Sequence, residues 1–548
     1  MFDLTFGRIN MKDLVFSLSL LFFSLVSFAQ SLPEEKVHAH LSKSILSAEE
    51  SIQFNVVVSV EGRSSDSKMA YAELVDRSGQ AVVQVIFPIE NGSGENFISI
   101  PNNLASDHYL FRVYTRISPY LGAHGIFNQF ITIINPDLPP SSESASSTFN
   151  GFSPSKGKPL NFKLPLLSAN AQFEIAQDIF PENQNSTLSI SLRNPYLPEM
   201  AKGYFHGEIY KKPSQPKPLI PEPLGHIVHA KTVAANNDST ETYFLSSHGK
   251  QSILNSAKPS AEGDLFFELG ALKDYDFLIA QSSNQEKQMD FSPQSPFAEL
   301  EFVEGFAFPP LNLEEKDKPF LQQVITAGKT GNYFLEEQKI EFLPIATGFV
   351  ADRTYLLDDY NRFENIEVTL KEYIPEVLVR HQSRKMVLKV QDKPMSALFK
   401  ENPLVLIDAM PVFDVDRLGK FDPEKIEKVE ILAREFFLNK DRFAGVVSFS
   451  SFENDFGGFE LPENSLYLNY WTIQAGKKYV SPHLVDLPIP PSFPDFRSTL
   501  YWNSTFNYSP AYSFHTSQTP GVFELRISFQ NEKGAWQFQS GEFKVEAD

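Results

Sequence analysis

The sequence contains no cysteine. That absence removes disulfides, thiol nucleophiles, thiolate metal sites and any lipid attached at a cysteine behind a signal peptide, so hydrophobic cores must hold the chain together. Positive charge is also short: 48 Lys and Arg stand against 68 Asp and Glu, a formal net charge of −20. This speaks against binding nucleic acid or anionic lipid through basic patches. Long apolar runs are missing except for one, "LVFSLSLLFFSLVSF" at residues 14–28, which follows Lys12 and ends in the small-x-small pattern Ser27-Phe28-Ala29. It is shorter than the roughly 20 residues that cross a bilayer as a helix. Residues 1–29 therefore read as a signal peptide, with Met11 an alternative start, and the exported chain is expected to keep no transmembrane segment of its own after cleavage.

What is abundant is aromatic and cyclic: 50 Phe, 19 Tyr and 38 Pro. That composition suits many short β-strands packed face to face, and the length exceeds what one core usually serves. The expected fold class is mainly β, a multidomain set of β-sandwiches of macroglobulin or Ig-like type with one small α+β domain. Residues 37–135 alternate in short runs, two of them joined at Asp76-Arg77-Ser78-Gly79, and predict the first sandwich. "PDLPPSSESASSTFNGFSPSKGKP", residues 136–159, cannot bury enough apolar surface to fold and reads as an extended linker. The borders expected are 1–29 signal peptide, 31–136 first sandwich, 137–160 linker, 161–345 one or two further sandwiches, 346–455 the α+β domain and 456–548 a C-terminal β-rich domain. Two helices are predicted, one at residues 318–328 ending on a glycine and one in "RFENIEVTLKEYIPEV", where Ile366, Leu370 and Ile374 recur every four residues and Pro375 stops the run.

The α+β domain centres on "NPLVLIDAMPVFDVDRLGKFDPEKIEKVEIL", residues 402–432. "PLVLID" is strand-like and ends in a tight reversal at Asp408-Ala409-Met410-Pro411, with "PVF" pairing back. Asp422 stands at a helix N-cap with Pro423 at the first helical position, a short helix "PEKIEK" follows, and "KVEIL" and "FAGVVSFSSF" return as strands. Loops on rigid scaffolds carry contacts. The partner-binding candidates are accordingly Asp408, Met410, Pro411, Phe413, Asp414 and Asp416; the competing reading packs Met410 and Phe413 inside the domain.

Two stretches carry family resemblances. "VHAHLSKS", "AELVDRSGQAV" and "HYLFRVYTR" resemble the second macroglobulin domain, MG2. This implies a sandwich and not a protease trap, because the macroglobulin thioester needs a cysteine. Residues 372–452 resemble the plug domain of TonB-dependent outer-membrane receptors of the Bacteroidetes type, in which a strand like "NPLVLIDAMPVFD" precedes "FDPEKIEKVEIL" and a closing strand like "FAGVVSFSSF". The chain departs from that pattern at Ala409, where glycine is usual, at "AREFFLNKDRFAG", which replaces a glycine-rich stretch, and in lacking a TonB-contacting box. Such plugs sit in 22-stranded barrels, which at about 9–11 residues per crossing need more than about 200 residues; 548 − 452 = 96 residues follow Phe452. The chain as given is expected to build no pore. Its end, "PDFRSTLYWNSTF" and "AYSFHTSQTPGVFELRISFQNEKG", resembles the tail of macroglobulin-like proteins of the same bacteria.

Together these resemblances imply a non-catalytic subunit with no cofactor, in the periplasm at the outer membrane or on the cell surface. It would dock on or close a pore made by another protein, an outer-membrane barrel or a secretion translocon. The alternative is a structural or adhesive envelope protein that binds a surface, glycan or peptide. Other motifs fail on inspection. Gly328-Lys329-Thr330 lacks the glycine five residues earlier that a phosphate loop needs, Gln323 standing there. Asp414-x-Asp416 with Gly419 imitates a calcium loop, but Leu418 and Lys425 occupy ligand positions. The pairs His38/His40 and His226/His229 have no third metal ligand nearby. Neither Gly-x-Ser-x-Gly nor His-Glu-x-x-His occurs. A carboxylate pair distant in sequence stays open.

Overall fold

The computed structural model describes residues 32–547 except 143, 145–153, 156, 161–165, 176–179, 181–185, 233–240, 251, 271–274, 338–347, 480–493, 507–513 and 532–534. The signal peptide expected at residues 1–29 lies outside the described residues. The fold is mainly β, in several sandwich-like layers, with one α+β unit.

The first sandwich faces a sheet built on Ser51–Val60, paired with Lys36–Leu41 and Ser93–Ser99, against a five-stranded sheet. That second sheet runs Ile45–Ser47, Ile126–Ile134, Asp107–Tyr114, Met69–Val75, Ala81–Pro88. Ile52, Phe54, Val56 and Val58 meet Ala70, Ala72, Leu74, Phe111 and Val113 between the layers. The hairpin at residues 76–79 closes as the composition predicts: the Asp76 side chain accepts from the Ser78 and Gln80 amides, and Gly79 takes φ +85°. All seven residues of Met69–Val75 are buried, because Tyr71 and Val75 pack outward against the next domain. A strand covered on both faces cannot show clean alternation.

Downstream the chain is nested, and here the expected linear order of domains is corrected. The strand Ser186–Leu192 is flanked by Thr499–Phe506 on one side and Gly521–Gln530 on the other, which in turn pairs with Trp536–Glu546. One sheet thus joins a piece assigned to 161–345 with the piece assigned to 456–548. The end of the expected linker belongs to it too: Lys158–Pro159 runs parallel to Trp536–Glu546. Edge pairing needs only backbone groups, so a Pro- and Ser-rich composition does not forbid it.

Inside that frame lies a middle sandwich. One sheet is Asp264–Glu268, Ile227–Lys231, Ser292–Pro293; the other is Ile253–Ala257, Tyr243–His248, Phe277–Ser282, Ser465–Leu468. The last strand comes from beyond the α+β unit, so that unit is an insertion into the middle sandwich.

The α+β unit has a five-stranded sheet in the order Arg353–Leu356, Ile426–Leu432, Val446–Ser451, Leu404–Ile407, Met410–Pro411, with Leu404–Ile407 parallel to Val446–Ser451. The predicted helix is Ile366–Tyr373, capped by Asn365, whose side chain accepts from the Val368 amide; Ile366, Leu370 and Ile374 are buried. The expected helix "PEKIEK" is only the 3-10 turn Pro423–Lys425, capped by Asp422 as foreseen, because Ile426 is drawn into the strand Ile426–Leu432. A helical turn that was not foreseen, Val415–Gly419, is capped by Asp414. The apolar run of Leu404–Ile407 has a physical reason. Val405 and Ile407 face the helix, while Leu404 and Leu406 face Phe244 and Leu254 of the middle sandwich.

The other predicted helix is Lys318–Gly331, and Gly328 lies inside it, not at its end. A Cβ at Gly328 would stand 1.7 Å from Ser47 Oγ, so this glycine lets the helix approach the first sandwich closely. The sequence Gly328-Lys329-Thr330 is therefore helical.

Candidate functional site

The residues proposed from the sequence divide into two groups. Asp408 and Ala409 form a two-residue hairpin turn with φ +45° and +65°, the type I′ geometry that usually takes Asn-Gly or Asp-Gly. The Asp408 carboxylate turns inward and accepts from the Ser451 amide (2.8 Å), the Ser451 hydroxyl (2.6 Å) and the Phe456 amide (2.8 Å). Burial pushes this carboxyl up from its ordinary value, and the three donors pull it back only in part. Met410 and Pro411 are buried as well, and the Pro411 carbonyl accepts from Gln281 Nε2 (3.2 Å). Asp408, Met410 and Pro411 are thus closed off by their own chain, and as partner contacts they are corrected to structural residues.

Phe413, Asp414 and Asp416 belong to the second group. They line a groove of about 970 Å³ between the α+β unit and the middle sandwich. One wall is the segment 412–417, the second is residues 385–388, and the third is formed by residues 285–288 and 462–464. Phe413 is 36 % exposed, with its inner edge against Phe244 (6.0 Å between ring centroids). Asp414 caps its helical turn, accepting from the Arg417 amide at 3.3 Å. Asp416 accepts from the Met386 amide at 2.6 Å and so ties the first wall to the second. The third wall is pinned by Asn464, which donates to the Asn284 and Lys287 carbonyls (3.2 and 2.7 Å) and accepts from the Met289 amide (2.9 Å).

The floor is apolar: Met386, Leu388, Val405 and Val412 are all buried yet line the groove. It also carries a one-residue gap in strand pairing. In Lys385–Asp392, the Met386 amide points away from the partner strand Val377–Gln382 to Asp416, and the Val390 carbonyl points the same way to the Phe399 amide. Leu388, between them, shares that orientation. Among the described residues no backbone bond outside the ladder is made by its N–H or C=O. Sequence reading missed residues 385–388, 285–288 and 462–464, because no local pattern announces that an insertion will bring three distant segments together.

The histidines flagged earlier are engaged elsewhere. His40 bonds Ser528 and Ser189 (2.6 and 2.8 Å), and His38 stacks on Trp536 (5.3 Å). His226 bonds the Glu222 carboxylate (3.0 Å), which also accepts from Tyr71 (2.7 Å) and Arg116 (3.1 Å). These contacts weld the first sandwich to the middle one. His229 bonds Asp264 at 2.7 Å. Among the described residues no cluster of three or more His, Asp or Glu could hold a metal ion, and no helix is long and apolar enough to cross a membrane.

No protein family matches the chain, and no curated protein does. Matches are found among solved structures. A superoxide reductase (neelaredoxin) from Ignicoccus hospitalis is 12% identical over 19% of this chain and 82% of its own, with a TM-score of 0.13. Methylamine-reacted alpha-2-macroglobulin from Salmonella is 9% identical over 95% of this chain and 24% of its own, TM-score 0.16. Trypsin-activated alpha-2-macroglobulin from Escherichia coli is 9% identical over 94% and 41%, TM-score 0.21. The chain spans well under half the length of either macroglobulin. At these TM-scores the likeness decides nothing, and the sandwich assignment rests on the sheets described above.

Proposed function

We propose that this protein is a non-catalytic docking subunit of the bacterial envelope, and that the groove beside Phe413 holds an extended segment of its partner. The observation that carries the reading is the unpaired backbone position at Leu388 within the apolar floor of the groove. An extended peptide gains main-chain hydrogen bonds from such a position and specificity from the side-chain pockets around it. The resemblance of residues 372–452 to a receptor plug supplies the class of partner, an outer-membrane barrel or a secretion translocon, with the protein docked on or closing its pore from the periplasm. The sandwiches then act as spacers.

The test is an affinity pull-down of the tagged protein from detergent-solubilised envelopes of its own organism, followed by mass spectrometry. A barrel retained in near-equal amount by the wild type, and reduced about tenfold by Phe413→Ser, supports the reading. Recovery of the protein alone argues against it.

Two observations favour a structural or adhesive protein instead. The α+β unit is buried on both faces of its sheet, as a rigid module would be, and a second cavity of about 540 Å³ lies beside the proline-rich residues 213–220, next to the His229–Phe266 stack. Protease treatment of intact cells separates the two: a surface adhesin is cleaved and a periplasmic subunit is protected.

A further inference from the structure

On Gly521–Gln530, Leu525 and Ile527 face the apolar core of the C-terminal sheet. Glu524, Arg526 and Ser528 therefore point the other way, toward the first sandwich. Arg526 is 5% exposed. Its guanidinium lies 4.8 Å from the Phe538 ring centroid, and its one hydrogen-bond partner among the described residues is the Gln129 amide, at 3.3 Å; Nε is buried with no acceptor. A buried guanidinium is ordinarily matched by a carboxylate. None is within ion-pair distance here among the described residues.

Arg526 lines a cavity of about 190 Å³ at the seam between the C-terminal sheet and the first sandwich. The other cations on the wall are already matched, Arg193 to Glu542 (2.8 Å) and Lys202 to Glu199 (2.6 Å). Glu524 lines the same cavity, two residues from Arg526 on one face of the strand and so about 7 Å away. It makes no ion pair or side-chain hydrogen bond among the described residues. The cavity thus presents a cation and an anion that feel each other's charge without forming an ion pair among the described residues.

We infer that this cavity binds a small zwitterion, an α-amino acid, whose carboxylate sits on Arg526 and whose ammonium faces Glu524. A bare anion would satisfy Arg526 but meet the Glu524 charge; a bare cation would meet Arg526. The volume is below the roughly 300–1,000 Å³ of drug-sized pockets, which limits the ligand to one small molecule. This inference is independent of the docking groove.

The experiment is isothermal titration calorimetry of the full chain with each of the twenty common L-amino acids, acetate and methylamine. At least one amino acid is expected to bind at one site, more tightly than acetate or methylamine by about tenfold or more. Glu524→Gln should reduce that preference over acetate to near unity, and Arg526→Gln should abolish binding. If Arg526→Gln does not fold, the half-buried Glu524 carries the test alone. The inference is overturned if no amino acid binds more tightly than acetate, or if Glu524→Gln leaves the preference unchanged.

Discussion

The turn at residues 408–409 shows how much one side chain decides. Asp408 holds the hairpin to the end of Val446–Ser451 and to the turn Phe456–Gly458 through three donors. Asp408→Asn places an amide N–H₂ opposite at least one of those donors, and a loss of about 1–3 kcal/mol is expected in denaturant unfolding. Ala409 is a different case. The left-handed conformation costs a non-glycine residue about 1–2 kcal/mol, but the Ala409 methyl is fully buried against the middle sandwich, which returns about 0.8 kcal/mol. Ala409→Gly should therefore change stability by less than about 1 kcal/mol, although glycine is the expected residue for such a turn. The sequence marked this turn correctly by its Asp. It did not reveal which side chains point in, because a tight reversal puts neighbouring residues on opposite sides and only tertiary packing selects the buried side.

Elements were legible where a pattern is local. Ile366–Tyr373 was readable from the four-residue recurrence of Ile366, Leu370 and Ile374, and its burial makes Leu370→Ala worth about 2–5 kcal/mol in the same assay. The 3-10 turn Pro423–Lys425 was readable from its cap but not in its length, since the cap fixes where a helix starts and strand pairing fixed where this one stops. The helix Lys318–Gly331 was underestimated because glycine ordinarily ends helices. Here Gly328 serves close approach to Ile45–Ser47, and Gly328→Val is expected to separate them, seen as a lowered melting temperature and faster amide exchange in the strand Ile45–Ser47. The groove escaped the sequence altogether. Its walls come from residues near 285, 387, 414 and 463, and nothing in any one of those segments indicates the others.

At the scale of the whole molecule the chain closes on itself twice, first around the α+β unit and then around the middle sandwich. Sequence pattern showed the sandwiches as a class but not this nesting, because strand pairing between residues 190 and 525 leaves no local trace. The nesting also buries histidines at the seams. Burial lowers His38 and His248 to about 3 and His108 to about 4, and holds His40 well below its ordinary value. Down to about pH 5 each stays neutral when folded, whereas in the unfolded chain it takes up a proton near pH 6.5. Protons therefore favour the unfolded state below that value. Stability should be full above about pH 6.5 and fall as pH drops toward 4, by up to about 1.4 kcal/mol per pH unit for each histidine. Thermal melts from pH 8 to pH 4 should show a flat region above pH 6.5 and a steep decline below it; a flat profile down to pH 5 would remove the histidines from the account.

Site-specific photo-crosslinking in living cells tests the docking proposal, with the photoreactive residue at Phe413 and, as a control, at the exposed Lys440, which does not line the groove. A crosslink to an outer-membrane barrel or translocon protein is expected from position 413 and none from position 440. Equal labelling from both positions, or none from position 413, would contradict it.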